Sequence, residues 1–420
     1  MNDLKGEAYE SLLWHNENGI EIKPYYTGED LKQEYEPAFT HTDWEVTVQA
    51  KNSDTTSANK DLLEKLNSGA SAISIVLGNH KPEVLLNGIQ LNYIHSTFYV
   101  NENNAASLKN YLEKNYNANE ISFTLFPEDF ASDADLKTWS GISDSFKNFT
   151  KANTCSFNAL SFHNLNCFAY YEVALIMAGL VENIEEFSAK GLLSQTGLAL
   201  KTGVSSDYFM QIAKLRAIRR LWKLISAEYK VDKDLYLIAE TSLTNKSISD
   251  SYNNLLRTTV ESMAAVSGGC NELIISPFDV LLPSNKNLPE RMAVNQQLIL
   301  KNESYLNTMA DTACGSFYVE SITDALAKKA LEAFKEIEKQ GGFLKCLGNG
   351  LISKTIDAQA KQKEEWIRSG KQVIIGVNKF KNEREKIGIP ASKIGELREM
   401  GIHNPVLSYE LEHFFSEKHA

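Results

Sequence analysis

Three titratable residues stand where catalytic groups would be expected, each just after a short apolar stretch. His163 follows NALSF, Glu240 follows LYLIA, and Asp279 follows LIISPF. A histidine exchanges a proton near neutral pH, because its ordinary pKa is about 6.5. Two carboxylates in one site can share the roles of acid and base. The pattern therefore predicts acid–base chemistry, with His163 as general acid and Glu240 and Asp279 as a carboxylate pair.

Each of these residues also has a structural interpretation, which the spacing leaves open. A histidine at a strand end commonly fixes the local backbone through hydrogen bonds. Glu240 precedes Thr241 and Ser242 and would organise the loop that follows. Asp279 lies two residues after Pro277, where an aspartate accepts hydrogen bonds from loop amides. No cysteine or histidine pair has the spacing of metal ligands, so no metal site is predicted.

Strands and helices must alternate if the three side chains are to share one edge of a sheet. Apolar runs with few polar interruptions are typical of parallel strands buried on both faces. The strand candidates are 70–77, 95–100, 121–126, 155–162, 191–200, 235–239, 272–276 and 373–377. Helical periodicity fills the intervals between them, including 168–180, 184–190 and, most clearly, 207–229. About eight such units predict an α/β fold, a (β/α)8 TIM barrel, whose chemistry lies at the carboxyl ends of the strands.

Helix 207–229 carries a group of basic residues that admits two interpretations. They are Lys214, Arg216, Arg219, Arg220 and Lys223. The group would form an anion site if it faced a cleft. Because charged residues on a helix usually form its hydrated face, we expect a solvent-exposed surface instead.

Patterning and charge divide the chain into three parts and exclude some functions. We expect an N-terminal arm over 1–40, the barrel over 41–380 and a C-terminal extension over 381–420. The net charge of −11 argues against a nucleic-acid binder. Apolar runs fall short of the roughly 18 residues that span a membrane. The N-terminus shows no apolar signal region, so we expect a cytoplasmic protein.

Five separated segments, in this order and spacing, resemble the barrel of the adenosylcobalamin-dependent acyl-CoA mutases. The likeness is greatest to the methylmalonyl-CoA mutase family and covers about residues 40–375. It also implies a (β/α)8 barrel. The segments are FHNLNCFAYYEVALIMAGLVE (162–182), DYFMQIAKLRAIRRLW (207–222), YNNLLRTTVESMAAVSGGCNELIISPFD (252–279), ERMAVNQQLILKNES (290–304) and CGSFYVESIT (314–323).

The chain departs from the catalytic members of this family at the positions that matter most. The resemblance implies a Tyr-His pair where this chain has Phe162 and His163, and a glutamate where it has Val280. The family's R-N-T-Y segment has no counterpart around 123–129. A D-x-H-x-x-G loop, which supplies the cobalt-binding histidine, is also missing. His163 is therefore interpreted as vestigial, with Glu240 and Asp279 as weaker candidates.

Other stretches resemble the non-catalytic small subunit of heterodimeric mutases. These are WEVTVQAKNSDTTSANKDLLEKLNSGASAISI (44–75) and ISPFD (275–279). The resemblance implies a small (beta) subunit that supports a large subunit holding adenosylcobalamin, an isomerase of methylmalonyl-CoA and succinyl-CoA. The chain alone is expected to be inactive and to bind no cofactor, with acyl-CoA bound only through the complex. Its polar arm is expected to wrap the partner.

Two alternatives remain open at this stage. The chain could be the barrel half of a mutase whose cobalamin domain is a separate polypeptide, which would require an intact acyl-CoA site. It could also be an unrelated acid–base barrel enzyme. In that case His163, Glu240 and Asp279 would have to line one open pocket.

A last expectation concerns the barrel axis, which a catalytic mutase must leave open for the arm of coenzyme A. A chain that has lost the chemistry is free to fill it, since a packed core is more stable than a wet channel. We therefore expect a filled axis and a buried His163 with a fixed partner. The large side chains available are Ile73, Ile75, Phe98, Tyr99, Phe123, Phe126, Leu160, Phe162, Tyr236, Ile238, Ile274 and Ile275.

Overall fold

A closed barrel of parallel strands forms the centre of the protein, as the sequence predicts. The computed structural model describes residues 8–31, 34–50, 54–128, 132–282, 287–382 and 404–417. Within them eight strands close into one barrel in the order β10-β3-β4-β5-β6-β7-β8-β9. The strands are β1 (Trp14–His15), β2 (Glu21–Ile22), β3 (Glu45–Gln49), β4 (Ala72–Val76), β5 (His95–Val100), β6 (Ser122–Pro127), β7 (Ala152–Asn158), β8 (Gly197–Val204), β9 (Leu235–Thr241) and β10 (Glu272–Ile274).

Helices follow the barrel strands and cover the outside of the sheet. The longest, α6, α7 and α10, pack against one another on one side of the barrel. The helices are α1 (Thr55–Asn67), α2 (Pro82–Leu85), α3 (Ala105–Asn115), α4 (Asp133–Ser145), α5 (Leu160–Asn164), α6 (Ala169–Ala189), α7 (Tyr208–Glu228), α8 (Tyr252–Ser267), α9 (Leu288–Asn302), α10 (Phe317–Lys339), α11 (Phe343–Gly348), α12 (Leu351–Arg368) and α13 (Pro405–Glu417). No helix among the described residues is long and apolar enough to cross a membrane.

The first barrel strand, β3, contains no apolar run and was not predicted, and the strand predicted at 373–377 is wrong. Strand β3 pairs with the last strand, β10, and so closes the barrel. Its sequence alternates between polar and apolar residues, because its inward face meets a polar interior. In 373–377 only Ile375 forms a bridge, to Lys379. Ile374 and Val377 instead pack against Ile367 of α12.

Two predicted boundaries change for local reasons. Strand β7 ends at Asn158, and the predicted strand residues 160–162 belong to α5, a short helix that turns the chain at the barrel's edge. The two helices predicted over 168–190 form the single helix α6, which is buried on nearly all sides. Helices α7, α10 and α11 enclose α6, so its surface is apolar on nearly all sides. Such a surface lacks the alternation of apolar and polar faces that would have indicated one continuous helix.

Strand alternation divides the large side chains between two cores. Ile73, Ile75, Phe98, Phe123 and Ile275 belong to the main core, which includes buried residues of the surrounding helices. A separate cluster fills the barrel interior and contains Tyr99, Phe126, Ala199, Ile238 and Ile274, with Tyr236 packed against it. About half of the residues expected on the axis therefore face outward. Leu160 and Phe162 are not on a strand at all.

The described part of the N-terminal arm packs on the chain's own helices. Strands β1 and β2 form an antiparallel hairpin. Ile20 and Ile22 are buried in a cluster with residues of α7 and α10. Asn18 accepts a hydrogen bond from the Tyr170 backbone, and Lys329 donates to the Asn18 carbonyl. This segment is thus anchored on the chain's own helices, and its expected contact with a partner stays a prediction.

Helix α13 docks on the loop that follows strand β9. Glu410 accepts hydrogen bonds from the Ser247 hydroxyl and from the backbone amides of Ile248 and Ser249, at 2.6, 2.9 and 3.0 Å. Leu407 and Leu411 pack with Ile248 and with residues beyond β10. The rest of the predicted extension, including His403 and His419, lies outside the described residues except for 381–382.

Candidate functional site

His163 is held in a buried position beside strand β8. It lies in α5, and its Nδ1 is 2.9 Å from Glu172 Oε2 on α6. The ring rests on Gly203, where a Cβ atom would lie 2.1 Å from the His163 Cδ2. Only glycine leaves room for the imidazole at that point of β8. The expectation that His163 is buried with a fixed partner is confirmed.

Lys214 completes a buried charge cluster around the histidine. Its ammonium donates to both Glu172 oxygens, at 3.1 and 3.0 Å, and to the Gly203 carbonyl at 2.6 Å. Burial would raise the pKa of Glu172, but Lys214 and His163 outweigh it and lower that pKa to about 2. Burial and the Lys214 charge lower the pKa of His163, despite the opposing effect of Glu172.

These charges define the protonation state of the ring. Glu172 is ionised and can only accept hydrogen bonds, so the His163 Nδ1 must carry the proton. A neutral ring then leaves a lone pair on Nε2, which is buried and has no hydrogen-bond partner among the described residues. The ring is therefore an acceptor at Nε2 and has no proton to give there, contrary to the predicted role of general acid.

Glu240 lies inside the barrel, and its partners differ from those of His163. Its Oε2 is 2.8 Å from the Lys201 ammonium and accepts a hydrogen bond from Gln49 at 3.2 Å. Lys201 also donates to the Tyr99 hydroxyl at 2.6 Å. Burial opposes the charge of Lys201, but Glu240 and Tyr99 outweigh it and raise its pKa. Glu240 is thus half of an interior ion pair.

Asp279 lies in a turn beyond β10. Backbone hydrogen bonds run from Val280 to Pro277 and from Leu282 to Asp279 in this turn. His163 and Glu240 are each almost closed to solvent, at 6% and 7% exposure. The structure therefore does not bring His163, Glu240 and Asp279 together in one open pocket, and the acid–base triad predicted as an alternative is wrong.

A second polar group in the barrel interior was missed from the sequence. His95 at the start of β5 is 3.0 Å from both Ser122 and Thr124 oxygens, and its ring stacks on Tyr236. Glu272 at the start of β10 accepts hydrogen bonds from Thr97. Each of these residues is the first of its strand and points inward. The alternation of side chains along a strand would have predicted this inward orientation from the sequence.

Burial sets the charge of this second group. It raises the pKa of Glu272 to about 7, although Thr47, Lys201 and Thr97 favour the ionised carboxylate. It also lowers the pKa of His95 to about 4. His95 Nε2 lies 3.8 Å from the Glu272 carboxylate. Near pH 6 both groups are therefore largely uncharged.

Between the two polar groups, apolar side chains fill the interior. The rings of Tyr99 and Phe126 stack with their centroids 5.4 Å apart. Ile238, Ile274 and Ala199 complete the layer, and all five residues are buried. The interior of this part of the barrel is therefore occupied by side chains, as the sequence led us to expect.

The basic residues of α7 are mostly internal, so the predicted hydrated surface is wrong for them. Arg216 is fully buried between Asp311 and Glu320. Arg220 bridges Glu320 and Asp324. Of this group only Lys223 is fully exposed. The sequence could not reveal this arrangement, because the neutralising carboxylates lie on or just before α10, about one hundred residues away.

Among the residues that the structure describes, no three His, Cys, Asp or Glu side chains are placed to hold a metal ion. All five cysteines belong to the described residues and are free thiols.

Comparison with known proteins identifies one family. Residues 138–403 match the model of methylmalonyl-CoA mutase. A methylmalonyl-CoA mutase small subunit from Porphyromonas gingivalis is 26% identical over 426 residues, covering 92% of this chain and 69% of that protein. The mitochondrial methylmalonyl-CoA mutase of Homo sapiens is 28% identical over 454 residues, covering 91% of this chain and 60% of that protein.

A further relative is matched over a similar share of both chains. A probable mitochondrial methylmalonyl-CoA mutase from Caenorhabditis elegans is 27% identical over 451 residues, covering 91% of this chain and 61% of that protein. The chain thus spans about three fifths of the length of these mutases.

Proposed function

The chain belongs to the methylmalonyl-CoA mutase family, and we propose that it is the small, non-catalytic subunit of a heterodimeric mutase. Its partner would be a large subunit that holds adenosylcobalamin and acyl-CoA and interconverts methylmalonyl-CoA and succinyl-CoA. The relative from Porphyromonas gingivalis, named as a small subunit, supports this role. On this proposal the chain contributes stability to the complex and performs no turnover itself.

The observation that carries the proposal is the filled barrel axis. A mutase of this family needs a channel along the axis for the thin arm of coenzyme A. Here Tyr99, Phe126, Ile238 and Ile274 occupy that space. The Lys201–Glu240 ion pair lies further toward the carboxyl ends of the strands. A substrate would have to displace a buried ion pair and an apolar layer, and both changes are costly.

The surroundings of His163 also support an inactive barrel. A catalytic side chain must reach the substrate, whereas this ring is enclosed and bonded to Glu172. Its neighbour Phe162 offers no hydroxyl group and packs against the rings of Phe157 and Phe343. Both residues therefore contribute to packing in this chain.

Packing at the carboxyl ends of the strands supports placing adenosylcobalamin, which needs a broad open face there, outside this chain. Helix α13 covers the loop after β9 and contacts residues beyond β10 through Leu407 and Leu411. Val280 stands where the resemblance implies a glutamate. We therefore place the cofactor in the partner subunit.

Co-expression with a candidate large subunit tests the proposal. We expect a complex containing both chains in gel filtration, with mutase activity that the isolated small chain lacks. In the complex, His163→Gln in this chain should change kcat by less than about twofold. The substitution His41→Gln, at a half-buried site away from the barrel axis, is the matched control.

Three results would contradict the assignment. One is isomerisation of methylmalonyl-CoA by the isolated chain when adenosylcobalamin is added, which would mean that this barrel is itself catalytic. Another is a loss of more than about tenfold in kcat from His163→Gln in an assembled complex. Tight binding of adenosylcobalamin by the isolated chain, at micromolar Kd or below, would also contradict it.

A further inference from the structure

A cavity outside the barrel axis carries features of a ligand site. Its volume is about 660 Å³, and it lies beside the loops that follow β8 and β9, between the β1 hairpin, α8, α12 and the segment 371–375. Small-molecule sites commonly measure about 300–1,000 Å³ and combine apolar walls with a few polar groups. We propose that this cavity binds an organic anion that has one negative head on an apolar body. This site is independent of the proposed subunit role.

Apolar side chains supply its walls. Leu256 and Val260 lie one turn apart on α8, and Trp14 of the hairpin and Ile375 also line the cavity. Trp14 is 53% exposed, Leu256 66% and Ile375 45%. Grouped apolar side chains with this much contact with water mark a surface that gains free energy when a ligand covers it.

Arg257 places a positive charge on the same wall. Its guanidinium donates to the Asn254 side chain at 2.8 Å and to the Ile375 carbonyl at 2.6 Å. These bonds fix the group and leave further N–H donors unused, since a guanidinium carries five. Three carboxylates act on its charge, but each has another partner: Glu261 is paired with Lys246, Glu410 accepts hydrogen bonds from the loop after β9, and Asp250 accepts one from Asn253. A half-buried cation of this kind favours an anionic ligand.

The balance of charges in the cavity also favours an anion. Three cations line it, Arg257, Lys363 and Lys371, against two carboxylates, Glu17 and Asp207. Lys363 pairs with Glu17 at 3.4 Å, while Lys371 stands over the ring of Trp366. The formal charges of the lining side chains therefore sum to +1, in a chain whose net charge is −11, while Asp250, Glu261 and Glu410 act on Arg257 without lining the cavity. The two carboxylates disfavour a polyanion, so a single carboxylate, sulfonate or phosphate head fits best.

A pair of fluorescent probes tests the site in the full chain. The first is 8-anilinonaphthalene-1-sulfonate, and the second is N-phenyl-1-naphthylamine, which has the same rings and no anionic group. We expect the sulfonate to bind at one site per chain and to be displaced by octanoate. The neutral alcohol 1-octanol should displace it at least tenfold less well, about the effect of one charged hydrogen bond.

Variants locate the binding. Arg257→Gln should weaken binding of the sulfonate by about tenfold or more and change binding of the neutral probe by less than about twofold. Val260→Trp fills the cavity from an exposed position and should weaken both probes. Arg291→Gln, an exposed arginine of α9 that does not line the cavity, is the matched control.

The outcomes separate the proposal from folding defects. Each variant is first compared with the parent chain by circular dichroism and thermal unfolding. If Arg257→Gln is folded and binds the sulfonate as the parent chain does, or weakens both probes equally, the anion site is wrong. Unchanged binding of both probes in Val260→Trp would place the probes elsewhere and would also overturn it.

Discussion

Two polar layers inside the barrel differ in charge. The C-terminal layer consists of Lys201, Glu240, Gln49 and the Tyr99 hydroxyl. The N-terminal layer consists of His95, Glu272, Thr97 and Thr124. The first holds a charged ion pair, whereas in the second the pKa of Glu272 rises to about 7 and that of His95 falls to about 4.

The difference shows what keeps a carboxylate ionised inside a protein. Glu240 has an ammonium group 2.8 Å away. Glu272 has hydroxyl donors and a histidine that burial keeps neutral. Hydroxyl hydrogen bonds alone do not offset the loss of hydration of a full charge, whereas a close counter-ion does. The following predictions test this contrast in order of decreasing effect.

The same isosteric change should have unequal costs in the two layers. At pH 7 we expect Glu240→Gln to reduce the free energy of unfolding by about 3 kcal/mol, because it leaves Lys201 buried without a counter-ion. Glu272→Gln should cost less than about 1 kcal/mol, since that carboxyl group is already about half protonated at pH 7. Urea unfolding of both variants measures the two values. Equal losses would show that the layers do not differ in charge.

Stability should depend on pH through the N-terminal layer. The pKa of Glu272 is raised to about 7 in the folded state, so its protonation stabilises the fold increasingly as pH falls from 7 to about 4.3. His95 acts in the opposite sense, because its lowered pKa makes the fold lose stability as pH falls from about 6.5 to 4. In the parent chain the two contributions largely cancel.

Glu272→Gln separates these contributions. Relative to the parent chain, the variant should lose up to about 1.4 kcal/mol of stability per pH unit as pH falls from 7 toward 4.5. His95→Asn should show the reverse trend below about pH 6.5. Urea unfolding at four or five pH values gives both slopes. Parallel pH profiles for Glu272→Gln and the parent chain would contradict the raised pKa of Glu272.

Two tyrosines provide the smallest test. Tyr99 accepts a hydrogen bond from the Lys201 ammonium at 2.6 Å, so Tyr99→Phe should cost about 1–2 kcal/mol. Tyr236 contributes mainly through its ring, which stacks on His95 and which phenylalanine would retain. Tyr236→Phe should therefore change the free energy of unfolding by less than about 0.5 kcal/mol. A comparable cost for both variants would remove the distinction between the layers.

The fold could be predicted from the sequence where a strand carries a run of large apolar residues. Strand β5, which contains Phe98, Tyr99 and Val100, was predicted with its observed limits, and β9 was predicted from the same residue onward. Strand β3 was not found, because Glu45, Thr47 and Gln49 alternate with two valines. Its polar residues face inward, toward polar groups of the barrel interior. Apolar runs cannot reveal such a strand.

The site could be predicted only in part. The burial of His163 was expected because large strand side chains would fill the barrel axis, whereas the structure buries the ring against Gly203 of β8 and beside Glu172. Its partners Glu172 and Lys214 lie on two helices, 9 and 51 residues further along. Neither was singled out as a partner, because helix packing and not sequence spacing brings them together. The pairing of Glu240 with Lys201 was missed for the same reason.

The contact of Glu410 with the loop after β9 has a consequence for the order of events during synthesis. The Ser247 hydroxyl and the Ile248 and Ser249 amides precede their acceptor by 163, 162 and 161 residues. When this loop leaves the ribosome, the carboxylate that will order it has not yet been made. The strands of the barrel can pair before that point, but the loop reaches its final conformation only after the last helix has emerged.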